Sequence, residues 1–444
     1  MNKQTKLDIS EKQATAEVHG LSHDGRGIAT INNKTAFISG CLPNEIVTYK
    51  MTQKRSNYIE ADALDIVTSA PERTAPPCQH FGLCGGCSLQ HMHVDTQIQL
   101  KQQTLLDQLK HFGKVTPAAI LPPLNAHSIG YRRKARLGVK FVIKKNKLLV
   151  GFREKASHYL ADLERCVVLH PKVGEHFNEL SQLIASLASY KHIPQIEIAV
   201  GDTDAALVFR HLEDLSEADK QALIQFGKTY HFHIYLQPNP PAAIHEIWPE
   251  DSHDRLTYTL PDEHLEFLFH PLDFTQINLE MNRLMVAQAL SLLDLQAHEN
   301  ALDLFCGIGN FTLPMAKRAN HVTGVEGGEE MVARAQENAA HNHIHNVEFY
   351  AANLEKPSLQ AEWVKKQYDK ILLDPPRVGA KDILPLLPKF AAKRIVYVSC
   401  NPATLARDAG ELVHNYKYCL QNVGIMNMFP HTSHIEAMAV FEKI

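Results

Sequence analysis

From about residue 278 the chain takes up a rhythm that few folds accommodate, with helix-like and strand-like runs alternating toward its end. "NLEMNRLMVAQALSLLDL" has apolar positions at helical spacing, and "ALDLFC" is a short apolar run. "FTLPMAKRA", "HVTGVE", "GEEMVARAQENAAHN", "NVEFYAAN", "KILLDPP" and "RIVYVSC" follow. Antiparallel neighbours can be joined by a two-residue turn, whereas parallel neighbours need a long crossover, usually a helix. The alternation therefore predicts a parallel, doubly wound α/β sheet of Rossmann-like type. Ligands of such sheets bind beyond the carboxyl ends of the strands. The residues just past each strand are thus the ones to read for chemistry.

The first such place is "ALDLFCGIGNFT", in which Gly307 and Gly309 let backbone approach a ligand at a helix start. Asn310 and Phe311 stand where a pyrophosphate-binding loop would continue, and its third glycine is missing. The next strand ends at Glu326, 17 residues past Gly309, where a carboxylate can accept hydrogen bonds from a ribose diol. Lacking the third glycine, the site suits S-adenosylmethionine better than a dinucleotide. "KILLDPPRVG" then fixes Asp374 at the rim with Pro375 and Pro376. It is similar to the Asp-Pro-Pro-aromatic loop of amino-group methyltransferases, but Arg377 replaces the aromatic, which argues against stacking a flipped adenine. The next strand, "RIVYVSC", delivers Cys400 to the same crevice, and Asn401-Pro402 ends it.

Methyl transfer to nitrogen or oxygen needs no thiol. Transfer to carbon 5 of a pyrimidine does, because that carbon is barely nucleophilic until a thiolate adds at carbon 6. A base must then remove the carbon 5 proton so that the thiolate can leave. The candidate bases are Glu436 and His434, both in "FPHTSHIEAMAVFEK", with Glu436 expected at the start of the last strand.

Upstream, residues 14 to 67 read as five short strands parted by Gly, Asn and Pro turns, which suits a small closed barrel of OB type. "TSAPERTAPPC" is a linker, and residues 96–112 have helical spacing. Residues 128–268 mix strands with one helix near 172–189 and a loop, "QPNPPAAIHE", an α+β pattern. The domain boundaries expected are 1–69, 70–268 and 269–444. The net charge of −4 conceals a basic block: residues 131–155 carry ten Lys or Arg and one acid, with Tyr131, Phe141 and Phe152 interleaved. Basic charge mixed with aromatics is the footprint of nucleic-acid contact; Arg132, Arg133, Lys134 and Arg136 are the expected RNA contacts.

Cys78, Cys84 and Cys87 form a C-x₅-C-x₂-C cluster, with Cys166 the natural fourth ligand. Four thiolates suit zinc or an iron–sulfur cluster alike, and spacing does not choose. Core packing is the default for Cys41, Cys306 and Cys419. The start of the chain is polar and no run is long and apolar enough for a bilayer, so a reducing, cytoplasmic location is expected and metal or catalytic roles for cysteine gain weight.

Together "DLFCGIGNFTLP", "LLDPPR", "VSCNPATLARD" and "HTSHIEAM", in this order, resemble the RNA uracil-5-methyltransferase family. The resemblance implies a C-terminal class I S-adenosylmethionine-dependent methyltransferase domain, an N-terminal barrel of TRAM type and a central RNA-binding domain. It implies Cys400 as nucleophile and Glu436 as proton acceptor. Gln276, Phe305, Asn310, Glu326, Asn353 and Asp374 match the family's cofactor contacts; Gln276, Phe305 and Asn353 rest on the resemblance alone. The cysteine set resembles that of the ribosomal-RNA branch, which implies a 4Fe–4S cluster of structural role and 23S ribosomal RNA as substrate, for a monomer. Two alternatives stay open: the same chemistry on transfer RNA or another ribosomal uridine, and an RNA-binding module with a decayed methyltransferase fold.

Overall fold

A computed structural model describes residues 14–239, 244–250 and 255–444. The polar start (1–13) and residues 240–243 of the expected loop lie outside them. The chain forms two compact units. The first runs to Gly82 and takes in Cys87–Gln97 and His431–Ser433; the second is Leu83–Gly86, Ile98–Pro430 and His434–Ile444.

The first unit holds β1 (Ala14–Leu21), β2 (Gly27–Ile31), β3 (Lys34–Ser39), β4 (Ile46–Lys54) and β5 (Tyr58–Thr68), closed into a barrel in the order β1-β2-β3-β5-β4. These are the five expected strands. Inward positions carry Ala16, Val18, Ala29, Ile38, Val47 and Ile59, side chains small enough for a tight barrel. Asn32 and Asn33, both at positive φ, make the two-residue turn from β2 to β3 that the strand twist favours.

α1 (Val94–Gln108) continues through a π-helical turn at Leu109–Gly113 and leads to β6 (Ala119–Ile120). In the second unit, β7 (Lys134–Val142), β8 (Lys147–Gly151), β9 (Gln195–Val200), β10 (Ala205–Arg210), β11 (His233–Gln237) and β12 (His245–Trp248) form a sheet in the order β12-β11-β10-β9-β7-β8. α2 (Pro171–Gly174) and α3 (Phe177–Ser186) fill the place of the one helix expected. A further helix, α4 (Glu217–Tyr230), adds to the one helix expected, and the Ser216 side chain caps it by accepting from the Asp219 amide. The expected loop over 237–246 is also shortened, since β12 begins at His245.

β13 (Leu256–Leu260) and β14 (Leu265–Phe269) make a separate hairpin. After it come α5 (Leu279–Leu293), β15 (Asn300–Leu304), α6 (Thr312–Ala316), β16 (His321–Glu326), α7 (Glu329–His341), β17 (Val347–Ala351) and β18 (Lys370–Leu373). α8 (Leu387–Phe390), β19 (Arg394–Ser399), α9 (Pro402–Tyr416), β20 (Tyr418–Met426) and β21 (Glu436–Lys443) complete the chain. The sheet order is β17-β16-β15-β18-β19-β21-β20-β6. β15 to β19 pair in parallel as expected, but β21 runs antiparallel to both β19 and β20. The link between β20 and β21 contains no helix to carry the chain back over a face, so the strand can only return alongside. Strand order reverses between β15 and β18, and the crevice opens there. Among the described residues no helix is long and apolar enough to cross a membrane.

Candidate functional site

The glycine loop after β15 is held open by its backbone. Phe305 sits at φ 68, Gly307 at φ 55 and Gly309 at φ 91. A positive φ in a bulky residue is strain of the kind that clusters at ligand clamps. The Phe305 and Cys306 amides both donate to the Val325 carbonyl, which fixes the bend. A side-chain carbon added at Gly307 would meet nothing within 4 Å, so bare backbone faces open space there. Glu326, at the end of β16, accepts from the Gly307 amide at 3.0 Å and the Gly327 amide at 2.7 Å.

Residues distant in sequence brace this loop. Asn310 exchanges two hydrogen bonds with Asn282 of α5 (2.9 and 3.0 Å) and accepts a third from the Tyr258 hydroxyl (2.9 Å). Its side chain therefore positions the loop. Asn338 of α7 donates to the carbonyls of Ile308 and Leu268 and accepts from the Leu268 amide, tying the loop to β14. No spacing rule in the sequence foretells Tyr258, Asn282 or Asn338. Gln276 is partly buried in a narrow cleft with Arg133, Tyr258, Phe269, Leu279 and Asn282. Asn353 caps its own turn, accepting from the Glu355 and Lys356 amides.

The crevice is acidic. Burial, with Asp374 and Glu326 also opposing its charge, pushes Asp303 up to about 8; its Oδ2 accepts from Thr312 at 2.5 Å while Oδ1 has no partner among the described residues. Burial and then Glu326 push Asp374 up to about 7. Clustered carboxyls that resist ionising together are relieved by a cationic ligand. That is a fit for a sulfonium compound bearing an ammonium group.

Cys400 and Glu436 are brought together by strand register. Ser399 of β19 pairs with Ala437 of β21, so one step further along that antiparallel pairing sets Cys400 across from Glu436. Asp374 follows Leu373, which pairs with Tyr397 two residues before Ser399. Asn401 caps α9, its side chain accepting from the Ala403 amide, with Pro402 as first helical residue. A helix N-terminus favours a thiolate, yet the Cys400 thiol is pushed up to about 11, by burial first and then by Glu436 and Asp374, with Arg377 opposing. The thiol thus holds its proton until charge in the pocket changes.

Glu436 is raised to about 8 by burial and by Asp374, against Arg377 and Lys101. A carboxyl near neutrality can exchange protons readily. His434 differs: burial first, then Arg377, lower its pKa, and its Nδ1 is 2.8 Å from an Arg377 guanidinium nitrogen. With one ring nitrogen facing Arg377, the histidine is the weaker base.

Of the basic residues singled out, Arg132 donates to the Lys134 carbonyl, Arg133 to that of Gly201, and Lys134 to that of Asp273. Arg136 alone of the four is exposed, 2.6 Å from Glu197. The solvent-facing charge lies later in the same stretch: Lys140, Lys144, Lys145, Lys147, Arg153 and Lys155 are exposed. Arg136, Lys140, Lys145 and Arg153 line one cleft with His158 and the exposed ring of Tyr159.

Cys84 pairs with Glu154 in an isolated bridge, and the Gly85 amide donates to the Arg153 carbonyl. The Cys78 amide donates to the Gln90 side chain. A side-chain carbon at Gly174 would stand 2.4 Å from the Cys166 carbonyl, so only glycine lets that turn close. Among the described residues no three His, Cys, Asp or Glu side chains are gathered as a metal site would gather them. Cys41 and Cys306 are buried, as core packing requires.

A family model described as tRNA (Uracil-5-)-methyltransferase matches residues 95–444, and one for the TRAM domain matches residues 12–64. The chain is 51% identical to the 23S rRNA (uracil(1939)-C(5))-methyltransferase RlmD of Alcanivorax borkumensis, over 98% of each chain. It is 50% identical to the protein of that name from Methylococcus capsulatus, over 96% of each. Among solved structures, the Pyrococcus abyssi tRNA (uracil-54, C5)-methyltransferase in complex with S-adenosyl-L-homocysteine superposes with a TM-score of 0.75 at 23% identity. The match covers 96% of this chain and 99% of that one. That likeness speaks for the fold.

Proposed function

The chain belongs to the tRNA (Uracil-5-)-methyltransferase family, and on that premise we propose that it methylates carbon 5 of one uridine in 23S ribosomal RNA. The observation that carries this reading is the β19–β21 register, which sets a thiol across from a carboxyl at the edge of the crevice. The full-length relatives named for 23S rRNA support the substrate.

S-adenosylmethionine, when bound, supplies an electrophilic methyl group for carbon 5. The glycine loop (Gly307, Gly309) with Phe305, Asn310, Glu326, Asn353, Asp374 and Gln276 would hold it. Cys400 gives up its proton to solvent and adds through sulfur to carbon 6 of the uracil; the electrons of the 5,6 double bond move to carbon 5, which takes up the methyl group. Glu436 then takes the carbon 5 proton. The C–H pair restores the double bond, the carbon–sulfur bond breaks and the thiolate leaves. The uridine must leave its stack to reach Cys400, at a cost of a few kcal/mol. The exposed lysines and arginines of 136–155 would hold the backbone, with affinity falling as salt rises.

The test is to methylate ribosomal and transfer RNA from a strain lacking this protein, using labelled donor. Label is expected in 23S RNA at a single uridine; label confined to transfer RNA, as the family description would allow, overturns the substrate.

We further propose that Cys78, Cys84, Cys87 and Cys166 bind a 4Fe–4S cluster. Support comes from the donor set: four thiols, with glycines at 82, 85 and 86 in the cysteine loop. Anaerobic preparation is expected to yield a brown protein that bleaches in air. A colourless protein with stoichiometric zinc would contradict it.

A further inference from the structure

α1 carries a lysine where its packing calls for an apolar side chain. Ile98, Leu105 and Leu109 are buried along one face of α1 and its continuation, and Lys101 lies on that face, 2% exposed. Its ammonium donates to the Asn427 side chain at 2.9 Å and to the Phe429 carbonyl at 3.0 Å. Both acceptors are uncharged, and Asn427 is itself held by a bond to Asn125 at 3.0 Å. No carboxylate bonds Lys101 among the described residues, so a buried cation is held by two neutral oxygens with a third N–H unused. Burying a cation this way is costly unless a charge nearby repays it.

That charge is Glu436. Asn427 directly follows Met426, and Met426 is the cross-strand partner of Glu436. We propose that Lys101 is a positioning residue for proton removal: its anchored ammonium keeps Glu436 available as the carboxylate that accepts the carbon 5 proton. This inference rests on the reaction proposed above.

The surrounding charges show why such a cation is needed. Around Glu436 stand Asp374 and Arg377 after β18, Cys400 after β19, His434 before β21, and Lys101 on α1. Asp374 opposes ionisation of Glu436, while Arg377 and Lys101 favour it. The Arg377 guanidinium also faces His434. In the other direction, burial lowers Lys101 to about 7 and Glu436 is the group that raises it. Each of the two therefore supports the charged form of the other.

The experiment uses Lys101→Met and Lys101→Gln in the full chain, with Lys101→Arg as the charge-retaining control. At pH 7 the neutral variants are expected to retain less ionised Glu436, by about tenfold for each pH unit that its pKa rises. Methylated RNA should then accumulate as a denaturant-stable adduct with the enzyme. Raising the pH by about one unit should clear that adduct, KM for S-adenosylmethionine should not change, and Lys101→Arg should behave as the parent. Gln can still donate to the Phe429 carbonyl, so it carries the test if Met does not fold. The proposal is overturned if a folded neutral variant has the parent's pH profile and no adduct, or if Lys101→Arg fails as badly as Lys101→Met. If the parent protein itself shows neither turnover nor adduct on RNA, the proposed reaction fails instead.

Discussion

Cys400→Ala is expected to abolish methyl transfer while leaving the cofactor crevice intact. Without sulfur addition at carbon 6, carbon 5 of uracil has no electron pair to offer, and Cys306, the other cysteine at this end of the sheet, does not take over. Cys306 is buried under the glycine loop, where burial first and the neighbouring Asp303 and Glu326 then hold its thiol well above the usual range. Loss of an enzyme's nucleophile costs on the order of 10⁴-fold or more. The bonds bracing the loop run through Asn282, Asn310, Tyr258, Asn338 and Glu326, none of which touches Cys400. S-adenosylmethionine binding, measured by titration calorimetry, should therefore be unchanged. RNA carrying 5-fluorouridine has no carbon 5 proton to lose, so it should trap the parent protein covalently and fail to trap the alanine variant. A trapped alanine variant would assign the nucleophile to another side chain.

The catalytic half was legible because each of its signals is local. Strand–helix alternation, the glycine pair, and Asp374 and Cys400 at strand ends lie within a few residues of the features that explain them. The antiparallel return of β21 was not legible, since it depends on a helix-free link rather than on a pattern within the strand. The barrel and the main strands of the central sheet were readable, the barrel because its turns are punctuated by Gly and Asn, whereas α4 presents a polar face that masks its periodicity. The supports of the site stayed hidden. Tyr258 reaches Asn310 across 52 positions, and Lys101 reaches Asn427 across 326. No window of sequence contains either pair. At finer scale the basic block is partly folded inward: Arg132, Arg133 and Lys134 donate to backbone carbonyls, a choice the chain makes only once folded.

Glu436→Gln should stop the reaction one step later than Cys400→Ala. The amide can sit where the carboxyl sits but cannot accept a proton, so sulfur addition and methylation proceed and elimination does not. RNA without any fluorine substitution should then hold the enzyme in a denaturant-stable complex that already contains the transferred methyl group, with steady-state turnover reduced about 10³-fold. His434→Phe should form no such complex, because its ring nitrogen faces Arg377 and it is the weaker base. Glu436→Gln also has a stability signature whose sign is fixed. Burial raises Glu436 from an ordinary 4.5 to about 8, so the folded state binds its proton more tightly than the unfolded state does. The resulting penalty is absent below about pH 4.5, grows through the interval, and is complete above about pH 8. Gln has no such penalty. Its advantage over Glu should therefore be small at pH 5 and on the order of 2 kcal/mol at pH 8.5, after allowing for partial exposure. Chemical denaturation at the two pH values measures it. A glutamine variant that turns over normally, or that loses stability as the pH rises, would remove Glu436 from the role of proton acceptor.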